Sequence, residues 1–298
     1  METLKNSSQF LTEFSKTDPE NMKKILLSFL AIPLVFLLSC GSGEEGETVN
    51  VYTHRHYEVD KELFSRFTDE TGIKVNVINA SADELIQRME TEGENSPADL
   101  LITVDAGRLN RAHEADLLQA VESEYLMATV PEQFRQPEGY WYGMTIRARI
   151  IAYSIDRVNP GEISDFEDLA DPKWKGKVLV RSSDNVYNQS LLAAIIAANG
   201  EERSLEWAKG IIANLAREPK GSDRDQVKAI AGGEGDLTLV NTYYIGQLLM
   251  SANEEERKAG ASVGIIFPNQ GNRGTHVNIS GVGVAKYAKN KDNAIKLA

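Results

Sequence analysis

Residues 49–78 read VNVYTHRHYEVDKELFSRFTDETGIKVNVI, and this stretch decides the fold. Val49 to Thr53 is a short run suited to a strand. Val59, Leu63, Phe64 and Phe67 then fall at helical spacing on one face, and Gly72 offers the left-handed residue that ends a helix. Ile73 to Ile78 returns as a strand. Ser81-Ala-Asp-Glu84 has the spacing of a capping box that opens a helix, with Leu85, Ile86 and Met89 on its buried side, and Leu100 to Val104 supplies a third strand. Asp105 is expected to cap the helix that follows. Short apolar runs alternating with amphipathic stretches predict an α/β protein.

The alternation resumes further along. After an irregular stretch through Pro131, Pro137 and Trp141, Ile146 to Ile155 reads as a long strand and as the place where the chain crosses between two lobes. A second α/β set follows, with strands over Lys177 to Val180 and Leu237 to Asn241 and helices near Gln189 to Ala198, Leu205 to Leu215 and Arg224 to Ala231. Ser262 to Phe267 and Val277 to Ala285 are apolar again, separated by Pro268-Asn-Gln-Gly-Asn-Arg-Gly274, a hinge candidate. Asp292 to Leu297 reads as a beginning helix, so the chain is expected to lack further C-terminal helices.

The 298 residues suffice for one large or two medium domains. A net charge of −12 provides no basic face for nucleic acid. Met22-Lys-Lys precedes an apolar run from Ile25 to Ser39, too short to span a bilayer as a helix of about 20 residues, and Cys40-Gly-Ser-Gly follows. That order is the pattern of a secretory signal. Leu37-Leu-Ser-Cys40 resembles a bacterial lipobox, in which Cys40 would be lipidated and become the new N-terminus. Cys40 is the only cysteine, which leaves the folded part with neither a disulfide nor a thiolate metal site. Residues 1–21 are expected to be a mis-assigned extension, 22–40 a lipoprotein signal peptide, and 41–48 a flexible tether.

Three tyrosine motifs share one topological position. His56-Tyr57 lies between the first strand and its helix, Tyr187 between the Lys177 strand and the next helix, and Tyr243-Tyr244 directly after the strand Leu237-Thr-Leu-Val-Asn241. In open α/β sheets, ligands bind outside the carboxyl ends of strands, where these joints lie. Phenolate is a hard anionic oxygen donor, so several converging phenolates suit Fe³⁺ better than Zn²⁺ or Cu⁺. The first motif falls in the first α/β set and the others in the second, which places the ion between lobes. Four phenolates around Fe³⁺ leave one negative charge. Arg147, Arg149 and Arg181, in or beside strands, are the candidates to offset it. His54 and His56 face the same way on strand alternation, so spacing leaves both open as ligands. No Gly-x-Ser-x-Gly elbow, His-Glu-x-x-His pair or phosphate loop is present.

Tyr52-Thr-His-Arg-His-Tyr57, Ser96-Pro-Ala-Asp-Leu-Leu-Ile-Thr-Val-Asp105, Asp171-Pro-Lys-Trp-Lys-Gly-Lys177, Asn241-Thr-Tyr-Tyr244 and Arg273-Gly-Thr-His-Val-Asn-Ile-Ser-Gly281 together resemble the ferric-ion-binding proteins of bacterial ABC iron importers, a branch of the transferrin-like solute-binding proteins. The resemblance runs from Val49 to the C-terminus. It implies a two-lobed, class II periplasmic binding fold with the cleft between lobes, the first lobe comprising 49–148 plus 262–285 and the second 149–261 plus 286–298. It further implies Fe³⁺ held by Tyr57, Tyr187, Tyr243 and Tyr244, with His56 a ligand in some branches, and a synergistic anion such as carbonate on Arg147. A monomeric, periplasmic lipoprotein follows, attached to the membrane by its lipid alone. It would perform no covalent chemistry and would deliver iron to a permease and an ATPase. Two other readings stand beside this one: a binding protein of the same fold for an organic ion such as a polyamine or thiamine, its tyrosines stacking on the ligand, and a tyrosine-ligated iron enzyme.

Overall fold

The computed structural model describes residues 47–55 and 57–298. The expected extension at 1–21, the signal peptide at 22–40 with Cys40, most of the tether at 41–48, and His56 lie outside the described residues.

The first α/β set forms as its sequence dictates. Strand β1 (Thr48–Thr53) leads into α1 (Glu58–Thr71), which ends at Gly72 in the left-handed conformation at φ 75°. Strand β2 (Lys74–Asn79) pairs parallel to β1. Helix α2 (Ala82–Glu92) opens with the reciprocal Ser81–Glu84 capping box and buries Leu85, Ile86 and Met89. All five residues of β3 (Leu100–Val104) are buried, as a central strand requires, and Asp105 caps α3 (Ala106–Glu114) by accepting from the Gly107 N–H at 2.9 Å. Short β4 (Leu118–Gln119) and α4 (Glu124–Thr129) follow.

The long strand β5 runs from Tyr142 to Ser154, starting four residues before the expected Ile146, with a register irregularity between Gly143 and Thr145. It belongs to two sheets in turn. Through Ala148 it pairs antiparallel with β9 (Val277–Ala285); from Arg149 it pairs antiparallel with β7 (Leu237–Asn241). The combined strand order is β2-β1-β3-β9-β5-β7-β6, with β4 on β9 and β8 (Val263–Ile266) on β5.

The second half adds β6 (Val178–Leu179), two residues long, α5 (Val186–Asn199), α6 (Glu201–Ala213), α7 (Asp223–Ala231), α8 (Thr242–Leu249) and α9 (Glu254–Ala261). Helix α5 begins three residues before the expected Gln189, because Asn185 caps it by accepting from the Tyr187 N–H at 3.0 Å. Tyr187 therefore sits in the first helical turn.

Two segments depart from the expected division. Of 262–285, expected entirely in the first lobe, β8 instead pairs with the second half of β5 at Ile151↔Ile266, and only β9 joins the first sheet. Residues 286–298, expected in the second lobe, form α10 (Lys291–Leu297) on the first sheet instead, with Ala294, Ile295 and Leu297 packed into the core of Val49, Val51, Leu100 and Val284. The physical reason is local. The chain leaves β9 beside β3 and β4, and the Asn290 N–H is tied to Asp99 Oδ1 at 2.8 Å before the helix starts. A second core joins Ile151, Leu191, Ile195, Leu237 and Leu239. Among the described residues, no helix is long and apolar enough to cross a membrane.

Candidate metal centre

The site is built at strand-to-helix joints. Tyr57 is the N-cap of α1, extended at φ −79° and ψ 144°, while Tyr187 is the second residue of α5 and Tyr243 and Tyr244 are the second and third residues of α8. Helix N-termini carry partial positive charge, so each joint favours a negative group beside it. All four side chains are half-buried. Tyr243 Oη donates to Tyr187 Oη at 3.3 Å, and the Tyr243 and Tyr244 rings lie 4.2 Å apart between centroids. Tyr57, Tyr187 and Tyr244 share a cavity of about 540 Å³ with His54, Arg55 and Arg224. Tyr57, Tyr187 and Tyr243 share an adjoining one of about 180 Å³ with Arg147 and Thr145.

Burial controls the charge of these phenols. Desolvation, then the neighbouring Tyr187 and Tyr244, pushes the Tyr243 phenol far above the ordinary tyrosine range. Burial likewise pushes Tyr244 up to about 12, opposed by its hydrogen bond with Tyr243 and reinforced by Tyr187, Asp223 and Tyr57. Both stay protonated at neutral pH. Among the described residues, no group of three or more His, Cys, Asp or Glu side chains is arranged to hold a metal ion.

The three arginines singled out from sequence take different roles. Arg147 lies with its guanidinium carbon 5.1 Å from the centre of the Tyr187 ring, is 8% exposed, and has no hydrogen-bond partner for its Nη2. Arg181 stands 5.7 Å from the same ring. Arg149 is buried and turned toward Asp223, donating from Nη1 to Asp223 Oδ2 at 2.5 Å and from Nη2 to Asn188 at 2.7 Å. Fully buried Asp223 also accepts from Arg181 at 3.2 Å and from the Asn241 N–H at 2.9 Å, at the head of α8. Desolvation lowers the Arg149 pKa, and Asp223 resists that shift. Arg147, Arg149 and Arg181 against Asp223 leave a net of two positive charges within this group of four.

Sequence reasoning missed Asp223 and Arg55. Asp223 follows Ser222 and carries only the signal of a helix start. Arg55 is quoted within a motif but given no role; it lies 5.2 Å from the Tyr57 ring centre, held by Asp60 at 2.6 Å and by Thr145 at 3.2 Å.

Comparison with known proteins places this geometry in context. A family described as bacterial extracellular solute-binding protein matches residues 95–298. Iron uptake protein A1 of Synechocystis sp. is 55% identical over 254 residues, 85% of this chain and 70% of the relative. The Fe(3+)-binding periplasmic protein of Serratia marcescens is 29% identical over 267 residues, 88% of this chain and 75% of the relative. A solved Trichodesmium protein, in complex with iron and citrate ligands, superposes with a TM-score of 0.80 at 50% identity, covering 84% of this chain and 79% of that one.

Proposed function

Because the chain belongs to the ferric-iron-binding members of the bacterial extracellular solute-binding proteins, a family of carriers and not of enzymes, we propose that it takes Fe³⁺ as cargo on the phenolate oxygens of Tyr57, Tyr187, Tyr243 and Tyr244. Its mixed α/β fold is that of the periplasmic binding proteins, and it serves iron uptake. The single observation that carries the ligand assignment is the meeting of tyrosines from three separate joints around adjoining cavities, with two hydroxyls 3.3 Å apart.

In this reading the two sheets are two lobes joined through β5 and the β8–β9 connection, and iron sits between them. The tyrosines supply the charge and the arginines trim it. Arg147, buried with an unpartnered Nη2 beside Tyr187, is the group that would hold a synergistic anion such as carbonate. His56 adjoins Tyr57 in sequence and is a further candidate ligand. The cavity walls argue against an organic cation such as a polyamine. Arg55, Arg147 and Arg224 line them, while Glu256, the one carboxylate of these walls among the described residues, is engaged by Lys228 at 2.6 Å.

The remaining parts of the proposal follow the sequence. Cys40 carries the lipid as the new N-terminus after removal of the residues that precede it, the tether leaves the carrier facing the permease, and a permease and ATPase receive the iron. The deciding experiment is a visible absorption titration of the metal-free protein with ferric citrate. A saturable phenolate-to-iron charge-transfer band at one iron per chain is the expected result; its absence would return the organic-ligand reading to first place.

A further inference from the structure

Helix α5, which carries Tyr187, is gripped from the opposite sheet. Its inner face packs on the second sheet through Leu191 and Ile195. Arg147 on β5 and Asn278 on β9 are direct cross-strand partners in the first sheet, and both reach α5. Arg147 covers the Tyr187 ring at 5.1 Å, and Asn278 Nδ2 donates to Ser190 Oγ at 2.6 Å. Tyr187 and Ser190 are three residues apart on a helix, so one pair of strand residues holds one helix face.

The Asn278 amide has no freedom in this arrangement. Its Oδ1 accepts from the Ala106 N–H at 3.0 Å and the Ile279 N–H at 2.7 Å, while its Nδ2 donates to Asp105 Oδ2 and Ser190 Oγ, each at 2.6 Å. Turned over, the amide would set its NH₂ against two N–H donors and its oxygen against a carboxylate, so the neighbours dictate one orientation. Ser190 Oγ, which accepts from Asn278, also pairs with His276 Nε2 at 3.2 Å, the tautomer of the imidazole setting which of the two donates. The half-buried His276 is neutral at pH 7. At the other end, Asp105 holds a φ of 86°, a conformation that side-chain-bearing residues seldom adopt and that persists where surrounding contacts enforce it. The Gly107 cap and Asn278 are those contacts.

We propose that Asn278 is a positioning residue for iron binding: through Ser190, and together with Arg147, it docks the first turns of α5 against the first sheet and thereby fixes Tyr187 over the cavity. Asn278 acts on the ligand through the helix, by its hydrogen bond to Ser190. The inference rests on the ferric reading above and adds to it the part that couples a second-sheet ligand to the first sheet.

The test uses the full chain loaded with one Fe³⁺, following the charge-transfer band and the rate at which excess EDTA removes the iron. Ser190→Ala removes the hydroxyl that ties α5 to Asn278 and to His276, Asn278→Ala cuts the first of these ties and also frees Asp105, and Ser190→Thr keeps the hydroxyl. The expected result is a band at the wild-type wavelength in all three, with release at least about fivefold faster in Ser190→Ala and in Asn278→Ala, the effect of losing one neutral hydrogen bond or more, and wild-type in Ser190→Thr. Release at the wild-type rate in Ser190→Ala, or equally fast release in Ser190→Thr, would overturn the proposal. Should Asn278→Ala fail to fold, the Ser190 pair decides alone. A wild-type protein with no band overturns this inference and the ferric reading together; a normal band with unchanged release in Ser190→Ala overturns this inference only.

Discussion

Tyr243 and Tyr244 keep their protons at neutral pH because burial raises both phenols, and this sets the behaviour of the proposed site at the scale of single residues. Tyr243→Phe and Tyr244→Phe each remove one oxygen and leave the ring, so the fold is expected to survive. Iron affinity should fall by more than the roughly 10–100-fold typical of losing a supporting residue, read by absorption titration against a competing chelator. His56→Ala is expected to cost less than either; an equal or larger loss would reverse the ranking of ligands. The pH dependence follows from the raised phenol pKa values. Because Tyr244 titrates near 12 and Tyr243 higher still, binding at neutral pH must release their protons, so apparent affinity rises with pH and falls on acidification. Potentiometric counting of protons released per iron checks this, and zero release would contradict phenolate ligation. The tyrosine joints were legible in sequence because they follow directly on strands. The turning of Arg149 toward Asp223 was not, because burial and a partner 74 residues away decide it.

At the scale of elements, helix α8 starts without help from its own N-cap side chain. Asn241 makes no capping bond; the Asp223 carboxylate from α7 takes the Asn241 N–H instead while pairing Arg149 and Arg181. Asp223→Ala would strand two arginines, one fully buried, and removing one partner of a buried pair costs about 3–5 kcal/mol. A drop in Tm of roughly 10 °C is expected for a chain of this size, and a change within a degree or two would show that the pair contributes little. His276, at the crossing into β9, carries a second prediction. Burial, with Arg147 and Arg149, holds its pKa at about 4 against an ordinary 6.5, with Asp105 opposing. The unfolded chain therefore takes up the proton more readily. Stability from this group is whole above about pH 6.5 and declines as pH falls toward 4, by up to about 3 kcal/mol. Urea melts across that window should show the decline in the wild type and a flatter profile in His276→Gln. The capping box of α2 and the Gly72 stop were readable because local hydrogen bonds fix them. The early start of α5 turned on Asn185, a cap that periodicity alone does not mark.

For the whole molecule, the proposed placement of iron between two sheets joined by β5 and the β8–β9 connection makes ligand binding a conformational event. Iron is expected to lower the radius of gyration measured by small-angle X-ray scattering, and to raise Tm with free iron concentration by mass action. An unchanged radius with a fully developed band would mean that the cleft is already closed without iron. The sequence by itself determined the alternating α/β character, the crossing near Ala148, the tyrosines at their joints and a resemblance specific enough to name a family, since all of these depend on contiguous residues or on periodicity along one element. The tertiary structure decided the rest. It sent β8 to the second sheet and α10 to the first, buried Asp223 between two arginines, and brought Asn278 against Ser190 across 88 residues of chain. These outcomes turn on which groups share a core and which polar atoms must find partners once water is excluded. That competition is settled only among residues distant in sequence, when the whole chain has packed.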